Sequence, residues 1–331
     1  MLQNLIAWVI RAIPFGTIIM YGSMGETVTE KSGHLNLGVP GIMYLGGFAG
    51  FTSAYFYEHN AANPSAIVCV LLSFVCAFLA AMVGGLIYAF LTITLRANQN
   101  VTGLALTTFG MGVANFGGVF LLNGASYTAA PLAFSAYSTK IIPGWDKTGI
   151  FGEMFLSYGF LVYAAILLAV GMHFFLNKTR VGLNLRAIGE SPATADAAGI
   201  HVTKYKYLAT CIGAGISGIG GLYYVLDYNR GIWATTGQIE ALGWLAVALV
   251  IFTTWRPLNG IWGAYLFGML YWLYQYLPNL LGITISNYAI DLVQMIPYVV
   301  TIVVLIVVSL RKKRENQPPA SLGIAYYRED R

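Results

Sequence analysis

Nine apolar stretches of roughly 20 residues, each long enough to cross a bilayer as a helix, leave this chain few ways to fold. They fall at residues 5–24, 36–56, 66–95, 102–122, 157–176, 207–226, 238–255, 258–276 and 290–310. Hydrocarbon offers no partner to a backbone N–H or C=O, so a crossing segment must bond within itself, which a helix does. The composition agrees: 57% of the 331 residues are hydrophobic and 9% are charged, against about a quarter charged in an ordinary soluble domain. The expected fold class is all-α, a polytopic membrane protein with about nine transmembrane helices, eight to ten at the limits. The first stretch is interrupted by Arg11 and Pro14 and has no small-residue cleavage pattern, so it reads as a retained span and not a signal peptide. The third is long enough to tilt or break. Residues 98–115 hold enough polar residues and glycines for a discontinuous helix or a re-entrant segment.

Charge sets the expected orientation. With nine spans and the C-terminus inside, the cytoplasmic side collects Lys31, Arg96, Lys178, Arg180, Arg186, Lys204, Lys206, Arg256 and a basic tail, and the outside only Lys140, Lys147 and Arg230. Short loops follow this positive-inside bias, so the N-terminus is expected outside. The membrane domain is expected over 1–310, with a cytoplasmic loop at 178–206, an external loop at 123–156 and a cytoplasmic basic tail at 311–331. The external loop could fold over the outer mouth, meet an external partner, or be a loosely packed connection. Arg311, Lys312, Lys313 and Arg314 stop the last span and meet anionic lipid headgroups. The net charge of +5 needs no nucleic-acid partner.

The inner loop carries the strongest local signal. Ser191 can cap a helix, Pro192 suits its first position, residues 193–198 propagate it, and Gly199 can end it in a left-handed conformation. About two turns of helix are too short to be stable alone, so something else must hold them. Small residues recur every fourth position at Gly213, Ser217 and Gly221, at Gly260, Ala264 and Gly268, and at Gly46 and Gly50. Those faces are expected to bring helix backbones close together.

Catalytic chemistry is not indicated. The chain has no phosphate-cradling G-x-x-x-x-G-K-[ST], no H-E-x-x-H and no G-x-S-x-G. Its four histidines, His34, His59, His173 and His201, are scattered, so no catalytic or metal-ligating set is proposed. Cys69, Cys76 and Cys211 lie inside apolar runs and read as small packing residues. The span acids Glu26, Glu240 and Asp291 sit near expected interfaces, which argues against proton coupling through a deep carboxylate. Neutral polar groups beside aromatic rings remain, and they suit a neutral polar solute. The candidate pathway residues are Asn36, Asn98, Asn100, Thr107, Asn115, Phe116 and Trp244, with interhelical hydrogen bonding and ring packing as the alternative use.

Four segments carry a family resemblance: GETVTEKSGHLNLGVPGIMYLGG at 25–47, RANQNVTGLALTTFG at 96–110, RVGLNLRAIGESPATADAAGIHV at 180–202, and IEALGWLAVALVIFTTWRPLNGIWGAYLFG at 239–268. The tail PPASLGIAYYRED adds a fifth. The chain resembles the permease subunit of ABC importers of the simple-sugar and nucleoside branch, related to ribose and branched-chain amino-acid permeases. Its nearest resemblance is to nucleoside permeases that work with a basic-membrane-protein-type binding lipoprotein. That resemblance implies a bacterial cytoplasmic-membrane protein that is not itself an enzyme. ATP and Mg would be bound by a separate ABC ATPase subunit, beside a second and different permease chain. It also assigns Glu190, Ser191, Pro192, Ala193, Thr194, Ala195, Asp196, Ala197, Ala198 and Gly199 to a coupling helix seated in the ATPase. Arg180, Arg186, Lys204 and Lys206 flank that helix. A nucleoside is the favoured solute and a ribose-like sugar the rival. A secondary carrier, or a channel or scaffold without an ATPase, stays open as another class.

Overall fold

The computed structural model describes all residues except 1, 122–127, 143, 145–147, 234–236, 282–291, 294, 312–316 and 328–331. Asp291, Lys147, Lys312, Lys313 and Arg314 therefore lie outside the described residues. Nine helices of 15 residues or more coincide with the apolar stretches: α1 (Leu2–Lys31), α2 (Val39–Asn60), α3 (Ala66–Ala89), α4 (Gln99–Leu121), α7 (Phe160–Lys178), α10 (Val202–Tyr223), α11 (Gln238–Phe252), α12 (Pro257–Leu281) and α13 (Ile296–Arg311). Four short ones lie between them: α5 (Pro131–Ser138), α6 (Ile150–Phe155), α8 (Arg180–Glu190) and α9 (Pro192–Ala197). Among the described residues five helices, α1, α3, α4, α7 and α10, have the length and apolarity to cross a membrane.

The middle of the bundle is α10, packed between α1 and α2, with α3 and α4 on the α2 side and α7 and α12 on the α1 side, and α11 against both α1 and α2. Burial follows this order. In the most apolar window of α10, 83% of residues are buried, against 22% in that of α3. The outer face of α3 is a row of exposed Ile67, Leu71, Val75, Leu79 and Val83, the surface expected of a helix that meets acyl chains.

Glycine makes the central contact possible. A Cβ on Gly221 would lie on the carbonyl of Met43, one on Gly213 would press the Gly25 carbonyl, and one on Gly46 would strike Gly218. Between them the Ser217 hydroxyl donates to the Gly22 carbonyl at 3.1 Å. The second expected seam also forms, with Gly268 against the Ala12 carbonyl and Ala264 against Gly16. Small residues thus let the backbones of α1, α2, α10 and α12 approach closely, which in an apolar solvent is a principal source of helix association.

The structure departs from the sequence reading in two places. Residues 99–121 form one continuous helix, α4. Its polar and small residues serve packing against α2: Gly110 meets the Gly41 carbonyl, and Thr107 donates to the Leu37 carbonyl at 3.0 Å. The third span does not break either, because α3 runs on through one π-helical turn at Phe90–Thr94. Such a turn lengthens a helix while keeping its hydrogen bonds, and Tyr224–Tyr228 extends α10 likewise. The segment at 123–156, for which a loosely packed connection is one of the readings, is packed among its described residues. Strand β1 (Thr128–Ala129) pairs antiparallel with β2 (Ile232–Trp233), and α5 buries Tyr137, whose hydroxyl meets Ser73 Oγ at 2.8 Å.

Gly221→Val should destabilise the protein by roughly 1–3 kcal/mol through overpacking, seen as a lower thermal midpoint in detergent. Gly171 of α7 faces open space, so Gly171→Ala should be neutral or stabilise by up to about 1 kcal/mol. Equal responses at the two positions would contradict the close central contact.

Candidate functional site: the α8–α9 platform and the polar layer behind it

At the end of the bundle where α1 finishes and α10 begins, α8 and α9 form a small platform. Thr179 caps α8, its hydroxyl accepting from the Gly182 amide at 3.0 Å. Ser191 caps α9, its hydroxyl accepting from the Thr194 amide at 3.4 Å, with Pro192 in the first turn. Gly199 takes φ +82° just past the helix end, where a Cβ would be strained. On α9 only Ala195 is buried, against Ile188 of α8 and Val202 of α10. Glu190, Ala193, Thr194, Ala197, Ala198 and Gly199 are exposed, and Asp196 is half-buried. The helix therefore offers a surface of small side chains while anchored from behind by one methyl group.

The C-terminal segment completes the platform, which the sequence reading did not foresee. Ser321 donates its amide and its hydroxyl to the Gly189 carbonyl, at 3.0 and 2.7 Å. Tyr326 donates to Asp196 Oδ2 at 3.0 Å, and the Arg96 guanidinium lies 4.5 Å from the Tyr327 ring centre. The signal was present as PPASLGIAYY, an apolar and aromatic run in a tail otherwise charged.

Behind the platform lies a buried polar layer. Glu26 and Glu30, one helical turn apart on α1, are each 1% exposed. Glu26 Oε1 accepts from the Asn36 amide at 2.9 Å, and Glu30 Oε2 accepts from the Trp255 indole. The Gln99 side chain accepts from the Leu35 amide at 2.8 Å, and Tyr88 donates to the Leu35 carbonyl. Residues 32–38 are thus pinned from α1, α3 and α4 together. Glu26 is not at a solvated interface, as its position near a span end suggested; with Glu30, it serves as an acceptor for loop and indole donors.

His34 belongs to this layer. Burial, then the Lys206 ammonium, holds its imidazole down to about 3, so the ring is neutral. Its Nε2 lies 2.8 Å from Thr92 Oγ1, which gives its own proton to the Tyr88 carbonyl. The hydroxyl must therefore accept, Nε2 carries the hydrogen, and Nδ1 is an acceptor with no protein partner.

The seven candidate pathway residues are not gathered into one cavity. Asn36 and Thr107 meet around residues 36–38, where Asn36 Oδ1 accepts from the Gly38 amide. Asn98 caps α4 by accepting from the Val101 amide at 3.1 Å, and Asn100 is exposed beside it. Farther along α4, Asn115 keeps a buried oxygen without a partner, and Phe116 is 70% exposed and stacked on Phe120. Trp244 is half-buried on α11. At the opposite end of the bundle a polar cavity of about 790 Å³ is lined by Arg11, Lys140, Glu153, Asp227 and Arg230.

With this geometry in view, comparison with known proteins defines the class. Residues 9–306 match the model of the permease component of branched-chain amino acid transport systems. The chain belongs to that family and is a multi-pass membrane permease. It is 34% identical over 256 residues to a putative glucose ABC transporter permease of Haloferax volcanii, covering 77% of this chain and 72% of the relative. It is 32% identical over 256 residues to the guanosine ABC transporter permease of Bacillus subtilis, covering 74% and 75%. The nucleoside ABC transporter permease of Lactococcus lactis is 28% identical over 293 residues, 88% of either chain. No solved structure matches.

Ser321→Ala removes a hydroxyl that holds the tail to α8. At about 1 kcal/mol for such a bond, the segment at 317–327 should be trimmed by a protease about fivefold faster. An unchanged rate would contradict a docked tail.

Proposed function

We propose that this chain is the membrane subunit of an ATP-driven importer that carries nucleosides into the cell. The observation that supports this most is the extent of its likeness to the guanosine and nucleoside permeases, which runs over most of both chains. A simple sugar is the second reading, favoured by the identity to the Haloferax volcanii relative. In this proposal the nine long helices all cross the membrane, the N-terminus lies outside, and the α8–α9 platform faces the cytoplasm, as the distribution of Lys and Arg suggests.

Residues 190–199 are then the coupling element. A separate ATPase subunit holds ATP and Mg and receives the exposed small-residue face of α9. Closure of the ATPase pulls on α9, and the short turn at 199–201 passes that displacement to α10. Since α10 is locked by glycine against α1 and α2, it moves as part of the core and switches the spans between outward and inward openings. The solute path runs between this chain and a second permease chain. That position suits pathway candidates that share no cavity within one chain. A binding lipoprotein of the basic-membrane-protein type delivers solute to the end lined by Arg11, Asp227 and Arg230.

Proteoliposomes holding the whole complex should take up labelled guanosine when ATP is present inside and the binding protein outside. Ala197→Trp places a large side chain on the exposed face of α9, and Asp196→Arg reverses its charge. Each should reduce uptake at least about tenfold, some 1.4 kcal/mol of coupling, with permease abundance unchanged. Uptake that needs no ATP would overturn the importer reading, and full uptake by both variants would overturn the role of α9. Competition by a sugar but not by other nucleosides would favour the second solute.

A further inference from the structure

A cavity of about 660 Å³ opens between the π-helical end of α3, the start of α10 and the C-terminal segment, a size typical of small-molecule sites. Its wall is cationic: Arg96, Lys204 and Lys206 line it with His34 and His201, and Asp196, already bonded to Tyr326, is the one acid among the lining residues. Lys206 is 2% exposed, and among the described residues it makes no hydrogen bond or ion pair. A buried ammonium without a counter-charge is costly, so an anion in the cavity would relieve it.

Two further features point the same way. Residues 202–204, the first turn of α10, line the cavity, and His201 provides no side-chain cap for them. The first turn of a 22-residue helix thus borders it without a side-chain cap from His201, and helix N-termini favour phosphate. Arg96 stands beside it in a left-handed backbone conformation, φ +58°, which favours few side chains.

We propose that this cavity binds a phosphomonoester, its phosphate beside the first turn of α10 with Lys206 and Arg96. Either a free sugar phosphate or the phosphorylated inositol headgroup of a lipid carries that chemistry. The test uses the assembled transporter in discs of neutral lipid, with ribose 5-phosphate as probe in equilibrium dialysis. Saturable binding is expected, weakened at least tenfold by Lys206→Gln and by Arg96→Gln. Arg96 is exposed, so that variant keeps the test open if Lys206→Gln fails to fold. A second arm replaces the probe with discs containing phosphatidylinositol phosphate. A thermal stabilisation there that both variants abolish, without ribose 5-phosphate binding, would make the headgroup the ligand and support the site.

Absence of both effects, or binding indifferent to both variants, would overturn it. So would binding to the isolated permease that disappears in the assembled transporter, because an acidic side chain of the ATPase would then occupy the cavity. Failed binding with intact guanosine uptake counts against this site alone, and intact binding with failed uptake counts against the transport reading alone.

Discussion

Everything in this molecule hangs on how closely α10 approaches α1 and α2. The carbonyls of Gly25 and Met43 occupy space that any side chain at Gly213 or Gly221 would claim, and Ser217 bonds into the same seam. Lipid supplies no hydrophobic force between apolar helices, so contact of this kind is what fixes them. Because α10 starts soon after α9, this close contact lies at the root of an element with an exposed face.

The polar layer at 26–36 has a related role. Residues 32–38 connect two central helices, and they are tied by Glu26, Gln99 and Tyr88 from three different helices. Loops inside a protein must have their backbone groups satisfied, and here nearly invisible sequence features do it. The result is a well-tied floor beneath the platform, which suits the displacement proposed for α9.

Much of this could be read beforehand. Apolar length gave the long helices, and the small-residue spacing at Gly213, Ser217 and Gly221 identified a true seam. The Ser191, Pro192 and Gly199 pattern described α9 from cap to terminator, because those residues act locally. What depends on distant partners was harder. Polar residues in α4 looked like a break but serve contacts with residues 37–41. Glu30 gave no hint that Trp255 would be its partner, since 225 positions separate them. The tail segment carried no local sign of its partners, and it reaches Gly189 and Asp196. For the pathway candidates, a single chain supplies scattered groups and no enclosing wall.

The central claim is that α9 meets the ATPase and moves with it. Single cysteines at Ala193 and Ala197, in a chain whose Cys69, Cys76 and Cys211 are replaced, allow short bifunctional cross-linking in the assembled transporter. The account expects cross-links to the ATPase from both positions, with yields that change between ATP-bound and nucleotide-free states, and none from a cysteine at Ser65 at the other end of the bundle. Cross-links that miss the ATPase from both α9 positions, or form equally well from Ser65, would contradict it.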